Sequence, residues 1–524
     1  MLCARSRTFI LRAAILGMCG IGALGFAART VQAGNAPAAA GMSHEGFNGI
    51  WKIIAPEPRL LTTKGEVPPL LPTARKAYDD NVAARKAGDL SFDGTTRCMP
   101  PGMPRILSMS PFRVVVQSHV VGFVFQWNHA YRPVYINGWR TSNNEETHYY
   151  GEAIGHWEGD TLVVDSIYFS DSTLLDDATP SSEALHLRER YHLTDGARVL
   201  VDDVTVEDPK TFSTPWSAQL RFARQPGTAV LKEDVCTDRL KLVPTLSGAM
   251  PRSQAEHMGL FSPAAVENPN WPGKSGERLP LSTLLRQVQG EKNLLSRPEP
   301  MDGKQWYPPP TEARDLAGLW KPDPGTALLK PSSGASQAGL APYNAESESI
   351  LRYRMSMDDK KTPVSKAVLY CQPIGPVHEL VFPFNLQILQ AKDVILEVFE
   401  EWHDVRTIYL NQQQPKSVEP TYMGHSVGHW EGDTLVVDTI GFNDKTWLDV
   451  VGSPHGSKLH LIERMRKIGD GKTLEDLITV NDPQYYTRPF TLRRLFHWRP
   501  DVRMPDFTCE EAMRARIVDG LMLQ

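Results

Sequence analysis

The sequence His-Trp-Glu-Gly-Asp-Thr-Leu-Val-Val-Asp occupies residues 156–165 and recurs without change at residues 429–438. Ten identical residues at a spacing of 273 positions do not arise by chance. The dipeptide Trp51-Lys52 also returns, as Trp320-Lys321, in a matching Gly-aliphatic-Trp-Lys setting. Self-similarity at one long period is the sequence signature of repeated structural units. The chain therefore contains two homologous copies of one module.

Four cysteines follow the same spacing, Cys98 with Cys371 and Cys236 with Cys509. Each copy thus has one cysteine near the start of its core and one near its end. In an oxidising compartment, an even number of cysteines per copy indicates a disulfide framework. We predict one disulfide per module, Cys98–Cys236 and Cys371–Cys509. Four buried free thiols are the alternative, because spacing does not show that the α-carbons approach to about 5.5 Å.

The N-terminal segment has the features of a secretory signal. Arg5, Arg7 and Arg12 precede an apolar stretch from Ala13 to Phe26, and small residues end the segment. This order is typical of a signal peptide, here residues 1–33. A membrane anchor is the competing interpretation, but the apolar stretch is shorter than the ~20 residues that a spanning helix needs. We expect an exported protein, periplasmic or secreted, with no membrane span.

The composition is that of an ordinary globular protein, with 41% hydrophobic and 22% charged residues. The formal net charge is −5, and it becomes more negative once the arginines of the signal are removed. No basic run is present to attract a phosphate backbone, so we expect no nucleic-acid partner. The length predicts two or more domains. These are a first β-rich module at 45–250, a proline-rich, partly helical linker at 251–314 and a second β-rich module at 315–524.

Residue periodicity predicts a short helix and then strands in each module. Residues 73–88 and 345–357 combine charged residues with apolar ones at helical spacing, ahead of the first cysteine of each module. Later segments, such as 112–124 and 161–168, are short runs rich in β-branched residues. We therefore predict a mainly β chain with two tandem antiparallel β modules. Hairpins between sequential strands favour a lipocalin-like barrel, with a sandwich as the alternative.

The repeated ten-residue motif is best explained as framework. Its Glu-Gly-Asp segment supplies a tight hairpin turn, Trp157 and Trp430 pack against the end of the barrel, and the valine pairs fill the core. The sequence has no G-x-S-x-G elbow, phosphate-binding loop or dinucleotide fingerprint. These motifs therefore identify no cofactor, and whether one is bound stays open.

Positions that differ between the copies are better candidates for function than positions that both copies keep. A residue kept twice is consistent with a role in folding, whereas a residue lost from one copy is more easily dispensable for folding. The exchanged pairs are Glu152/His425, Ser170/Asn443, Leu174/Trp447 and Ser181/His455. The second copy is richer in imidazole here. We predict that a functional pocket, where one exists, lies in the second module.

Residues on strands and on the loop 446–458 would form this pocket. Alternation along a strand places His460 and Arg464 on one face and Glu463 on the other. His460 and Glu463 would face the lumen together only across a bulge, so His460 with Arg464 is the preferred combination. The candidate catalytic residues are His425, Asp449, His455, His460 and Arg464.

Three interpretations of the histidines remain open. His425, His455 and His460 would be metal ligands, with Asp449 as a fourth ligand or as a residue that orients one. No fixed-spacing signature such as H-E-x-x-H supports this interpretation. Alternatively, an imidazole with a reference pKa of about 6.5 beside Asp449 would move protons without a cofactor. In the third interpretation, the histidines hydrogen-bond loops at the mouth of the barrel.

A family of secreted proteins from proteobacteria and acidobacteria has motifs that resemble three strings of this chain. The strings are Cys98-x-Pro-x-Gly-Met-Pro-Arg, Gly424-His-Ser-Val-Gly-x-Trp-Glu-Gly-Asp-Thr-Leu-Val-Val-Asp and Pro454-His-x-x-x-Leu-His. The resemblance covers both modules. The family is often single-module and generally uncharacterised, so the resemblance implies export but does not indicate which activity, if any, the chain has. The first copy departs from the pattern at Glu152 and Ser181.

Three hypotheses about function follow from these observations. The leading one is an exported protein that binds an apolar or aromatic small molecule in a barrel lumen, with or without cofactor-free acid–base chemistry of the lyase, isomerase or hydrolase type in the second module. The first alternative is a non-catalytic envelope scaffold that binds partner proteins. The second alternative is a histidine-rich, metal-dependent enzyme.

Overall fold

The computed structural model describes residues 44–56, 58–136, 147–239, 309, 311–323, 341–358, 367, 371–400, 404–504 and 509. The predicted signal and nearly all of the predicted linker lie outside the described residues. Among the helices of the described part, none is long and apolar enough to cross a membrane.

Each module folds into a closed barrel of nine strands, which confirms the mainly β fold and the barrel that was favoured over a sandwich. The first barrel consists of β1 (Gly49–Ile53), β2 (Phe112–Val116), β3 (Val120–Phe125), β4 (Tyr131–Tyr135), β5 (Glu152–Glu158), β6 (Thr161–Ile167), β7 (His186–Thr194), β8 (Val199–Glu207) and β9 (Trp216–Arg224). The second barrel consists of β10 (Gly318–Pro322), β11 (Leu386–Gln390), β12 (Val394–Phe399), β13 (Val405–Leu410), β14 (His425–Glu431), β15 (Thr434–Ile440), β16 (His460–Ile468), β17 (Thr473–Asn481) and β18 (Phe490–Trp498).

Sequential strands pair in order around each barrel, and the last strand closes on the first. The pairs β4–β5 and β13–β14 are parallel, whereas every other pair is antiparallel. An odd number of strands cannot close with every neighbouring pair antiparallel, because strand direction must alternate around the ring. The sequence-based expectation of antiparallel modules therefore misses one parallel junction per barrel.

Helices lie where the periodicity predicts them, at the start of each module. They are α1 (Pro72–Lys86) and α4 (Ala345–Asp358), and the shorter helices are α2 (Ile106–Met109), α3 (Cys236–Arg239) and α5 (Pro376–Val381). Helix α1 begins with a proline, whose fixed φ suits the first turn, and its last turn carries Arg85 and Lys86 at the negative end of the helix dipole.

Both predicted disulfides are present. The α-carbons are 5.7 Å apart in Cys98–Cys236 and 5.6 Å apart in Cys371–Cys509, and each bridge joins residues separated by 138 positions. The alternative of four free thiols is therefore wrong. Each bridge joins the segment that follows the last strand of a barrel to the segment between its first two strands.

The repeated ten-residue motif forms a hairpin in each barrel. A two-residue loop of glycine and aspartate joins the strands, and Gly159 and Gly432 adopt φ values of 60° and 59°. This left-handed conformation favours glycine, because a side chain would be strained there. The leucine and the second valine after the turn lie in the core of each barrel. The motif is therefore framework in both modules.

The two barrels pack through an apolar cluster on their outer faces. Val115 and Tyr135 of the first barrel and Leu389 and Val398 of the second belong to this cluster, which we call the barrel interface. The chain after the last strand of each barrel also reaches it. We call residues 225–239 the first tail and residues 499–504 the second tail.

The first tail crosses to the second module. The carboxylate of Glu233 accepts the backbone N–H groups of Tyr422 at 2.8 Å and Met423 at 3.0 Å. Asp238 accepts hydrogen bonds from the Tyr422 hydroxyl at 2.9 Å and the Lys445 amine at 3.1 Å. The two modules are thus joined by specific polar contacts as well as by apolar packing.

Candidate functional site

A buried charge cluster occupies the lumen of the second barrel. Arg406 donates to both carboxylate oxygens of Glu463, at 2.8 Å for Oε1. It also donates to Glu397 at 3.0 Å, to Ser426 at 3.0 Å and to Thr439 at 2.8 Å. All five side chains are buried. The cluster lies in the lumen beside the apolar core, and its hydrogen bonds fix the position of the Arg406 guanidinium.

Two acids of this lumen are held in unfavourable surroundings. Burial raises the pKa of Glu397 to about 7, although the charge of Arg406 opposes the shift. Burial and the charge of Glu463 together raise the pKa of Asp476 well above its ordinary value. Among the described residues, the carboxylate of Asp476 has no hydrogen-bond partner. Asp476 therefore favours the protonated form at neutral pH, whereas Glu397 is about half protonated there.

The first barrel has a related cluster of different composition. Arg132 forms a buried ion pair with Glu189, and the Tyr191 hydroxyl donates to Glu189 at 2.7 Å. At the position where the second barrel has Glu397, the first has Phe123, and the Arg132 guanidinium lies 5.9 Å from its ring centroid. Both copies keep the arginine, as Arg132 and Arg406, and its main glutamate, as Glu189 and Glu463, and in both barrels the two side chains form a buried ion pair.

His460 and Arg464 lie on the outside of the second barrel. They share one face of β16, as alternation predicts, and Glu463 occupies the lumen face. His460 shares a hydrogen bond with Asp438 at 3.1 Å, and Arg464 donates to Glu431 at 2.8 Å. The preferred combination of His460 with Arg464 is thus a pair of partly exposed surface residues.

The first barrel has the same surface pairs. His186 shares a hydrogen bond with Asp165 at 2.9 Å, and Arg190 donates to Glu158 at 2.9 Å. Exposed ion pairs of this kind contribute only about 0–1 kcal/mol to stability. Since both modules have them, these pairs do not distinguish the second module as a catalytic one.

His455 and Asp449 organise the loop before β16. His455 is buried, and its Nε2 lies 2.6 Å from the Thr446 hydroxyl. Burial lowers the pKa of His455, although a hydrogen bond with the carbonyl of Gly456 opposes the shift. Asp449 accepts the backbone N–H of Ser453 at 2.9 Å and its hydroxyl at 2.8 Å. The contacts of these two residues support the third interpretation, in which the side chains hydrogen-bond a loop.

His425 lies on the outer face of β14, next to the parallel junction with β13. Its ring stacks on Tyr409, with centroids 5.3 Å apart and an interplanar angle of 22°. Burial lowers the pKa of His425. Since β15 lies between β14 and β16, His425 and His460 are two strand spacings apart, or about 10 Å. They therefore do not approach each other as two ligands of one metal ion would.

The described residues contain no group of three His, Cys, Asp or Glu side chains that could hold a metal ion. The five candidate catalytic residues likewise do not converge, because two organise a buried loop and three lie on the outer face of strands. Acid–base chemistry in the second module remains a prediction.

A cavity of about 700 Å³ lies in the first module. Its walls come from the loop after β1, from the neighbourhood of α2, from the loop around Asp176 and from β9. Ile54, Leu61 and Met109 line it, and within the described residues only Val67 and Val230 are other large apolar side chains with comparable exposure. Exposed apolar surface is thus concentrated at this cavity, which is typical of an interaction site.

Much of the charge in the cavity wall is already neutralised. Arg105 pairs with the buried Asp93, at 2.6 Å for the closest contact, and with Asp177 at 3.1 Å. The Asp93 carboxylate has a pKa of about 2: burial alone would raise it, and the hydrogen bonds and charge of Arg105 lower it. Asp176 accepts the backbone N–H groups of Leu60 and Ala178, both at 2.7 Å.

Two other arginines of the wall remain without a carboxylate partner in the described part of the chain. Arg59 donates to the Tyr78 hydroxyl at 2.5 Å, and Arg221 extends outward from β9. The lining contains three arginines and two aspartates, so the cavity combines apolar surface with a small excess of positive charge.

Sequence reasoning did not find this cavity. The loop after β1 has no helical or strand periodicity, so only its proximity to α2 and β9 in the fold reveals it. The corresponding loop of the second module falls at residues 324–340, outside the described residues.

No protein-family model matches the chain, and no curated protein matches it. The function proposed below is therefore argued from the geometry of the cavity.

Proposed function

We propose that the protein is an exported binding protein that takes a small molecule with an apolar or aromatic body and an anionic group into the cavity of the first module. The observation that carries this proposal is the cavity itself. Its volume of about 700 Å³ lies within the range of roughly 300–1,000 Å³ that is usual for ligand pockets.

The lining suggests how such a ligand would be held. Burial of the ligand against Ile54, Leu61 and Met109 would remove apolar surface from water, at about 25 cal/mol per Å². Arg59 and Arg221 would face the anionic group, since a guanidinium offers a fixed fork of N–H donors to a carboxylate or sulfonate. The apolar contacts supply most of the affinity in this arrangement, and the arginines supply the orientation.

Export is the second part of the proposal. The N-terminal order of basic, apolar and small residues supports it, as does the presence of one disulfide in each module. Disulfides persist in oxidising compartments and are rare in a reducing cytosol. A protein of this kind would meet its ligand outside the cytoplasm.

Titration with 1-anilinonaphthalene-8-sulfonate tests the binding proposal, because this probe has an aromatic body and a sulfonate. We expect a saturable rise in fluorescence with the full mature chain, and a three- to tenfold weaker affinity in Leu61→Ser and in Arg59→Gln. Val67→Ser is the matched control: Val67 is 38% exposed and Leu61 37%, but Val67 does not line the cavity. Equal affinities of the Leu61 and Val67 variants, or no saturable binding, would contradict the proposal.

A further inference from the structure

The barrel interface has two related positions that are filled differently. At each position a tyrosine from the fourth strand of a barrel lies beside the first residue of the fifth strand. Tyr135 and Glu152 form this pair in the first barrel, and Tyr409 and His425 form it in the second. The tail of the opposite module approaches each pair. The two positions differ in the residue at the corresponding place of the approaching tail.

The position in the first barrel is closed by a cation. Arg503 of the second tail forms an ion pair with Glu152, and its guanidinium lies 4.2 Å from the centroid of the Tyr135 ring. Glu152 and Arg503 are both largely buried. A guanidinium held by a carboxylate and an aromatic face is a stable arrangement.

The position in the second barrel has no such closure. At the spacing of the two cysteine pairs, the residue that corresponds to Arg503 is Val230, which is 47% exposed. Glu152 is likewise exchanged for His425, whose ring stacks on Tyr409 and whose side chain makes no hydrogen bond with a described residue. The carboxylate and the cation that close the first position are therefore both replaced in the second.

A buried cation from the first barrel lies at this open position. Arg113 on β2 is only 6% exposed, and its nearest acidic oxygen is that of Asp393 at 3.9 Å, beyond hydrogen-bonding distance. The guanidinium makes no hydrogen bond with any described residue. Its nitrogens are not completely enclosed by the protein. A guanidinium buried this far usually has acceptors within the protein for several of its five N–H donors.

Backbone contacts connect Arg113 to the Tyr409 and His425 pair. Asp393 lies in the turn between β11 and β12, and its carbonyl accepts the backbone N–H of Leu410 at 2.9 Å. Leu410 directly follows Tyr409 on β13. Burial raises the pKa of the Tyr409 phenol, and the nearby charge of Arg113 opposes this shift. Arg113 is thus close enough to Tyr409 for its charge to act on the phenol, and the Tyr409 ring stacks on the His425 imidazole at the edge of the barrel interface.

We propose that Arg113 of the first barrel and the Tyr409–His425 pair of the second together form a binding site for a small planar carboxylate. The carboxylate accepts two parallel hydrogen bonds from the Arg113 fork, the geometry in which arginine binds carboxylates most strongly. The planar body of the ligand lies against the stacked aromatic pair. The site is separate from the cavity of the first module and does not depend on the function proposed for it.

Calorimetric titration of the full mature chain with benzoate tests this site, with benzamide as the neutral ligand of the same shape. We expect benzoate to bind and benzamide to bind at least tenfold more weakly. Arg113→Gln removes the charged fork and should weaken benzoate binding at least tenfold. Asp393→Asn should strengthen it severalfold, because it removes the negative charge that competes for Arg113. Arg190→Gln, which changes an arginine that is paired on the surface of the first barrel, should leave it unchanged.

A closure experiment keeps the test decisive where Arg113→Gln perturbs folding. The double variant Val230→Arg with His425→Glu introduces a guanidinium and a carboxylate at the second position, like those of Arg503 and Glu152 at the first, and leaves Arg113 intact. We expect the new ion pair to close the site and to reduce benzoate binding at least tenfold. Equal binding of benzoate and benzamide, weaker binding in Asp393→Asn, or full binding in the double variant would each overturn the proposal. Loss of benzoate binding in Leu61→Ser would assign the effect to the cavity of the first module instead.

Discussion

Replacement of Glu397 by glutamine isolates the effect of one buried acid on the stability of the second barrel. Glu397 and Glu463 both accept hydrogen bonds from Arg406, and both are fully buried. Glu463 receives two donors of the guanidinium, whereas Glu397 receives one and has a second oxygen without a partner among the described residues. The two glutamates should therefore respond to neutralisation in opposite ways.

The magnitude follows from the pKa of Glu397. Burial raises this pKa from 4.5 to about 7, and each pKa unit corresponds to about 1.4 kcal/mol. The folded protein therefore binds more protons than the unfolded chain between about pH 4.5 and pH 7. The stability contributed by proton binding is fully present below pH 4.5 and is lost as the pH rises to 7. Above pH 7, ionised Glu397 costs about 3 kcal/mol, and Glu397→Gln avoids this cost.

Glu463→Gln is the matched control in the same cluster. Removing one partner of a buried ion pair typically destabilises a protein by about 3–5 kcal/mol. Urea unfolding followed by tryptophan fluorescence at pH 5, 6, 7 and 8 gives the free energies. We expect Glu397→Gln to match the wild type at pH 5 and to exceed it by up to about 3 kcal/mol at pH 8, with Glu463→Gln less stable throughout. A Glu397→Gln difference that is negative at pH 8, or that does not change with pH, would refute the reasoning.

Three further predictions concern the framework. Replacing both cysteines of either disulfide by serine should lower the free energy of unfolding by about 5 kcal/mol, because each bridge closes a loop of 138 residues. Clearly unequal losses for the two bridges in urea unfolding would contradict this. His455→Ala should lower the melting temperature by several degrees, whereas His429→Ala on the barrel surface should leave it nearly unchanged; equal melting temperatures would show that His455 does not support its loop. Asp238→Ala should destabilise the chain by about 1–3 kcal/mol, because it removes the hydrogen bonds that the second module donates to the first tail, and unchanged thermal unfolding would argue against that contact.

Much of the fold could be predicted because the sequence contains the same module twice. The repeated motif at 156–165 and 429–438 fixes the position of one hairpin per barrel, and the matched cysteines specify which sulfurs meet. Alternation correctly placed His460 and Arg464 on one face of β16. It could not show that this face is the outer one, because the opposite face is charged as well. Glu463 on that face is buried in the lumen, where it pairs with Arg406 from another strand.

The cavity and the parallel junctions could not be predicted for a different reason. Both depend on where a non-periodic segment passes: the loop after β1 forms the cavity wall, and the connection between β13 and β14 determines the direction of β14. Local patterns carry no information about such paths. The open position beside His425 depends likewise on Arg113, which lies in the other module and has no pattern that sets it apart from any other arginine on a strand.

The differences between the copies also have a structural explanation, which changes how much they say about function. Ser181 donates to the carbonyl of Thr173 at 3.3 Å, and His455 bonds to the hydroxyl of Thr446, the matching threonine of the second module. This exchange preserves a loop contact with different atoms. The exchange of Glu152 for His425 alters a contact between modules, because Glu152 pairs with Arg503 of the second tail, whereas His425 stacks on Tyr409 of its own barrel. Of the two histidines that distinguish the second copy, His455 is buried in its loop, and His425 is only partly buried, so His425 is the one whose imidazole a ligand would meet.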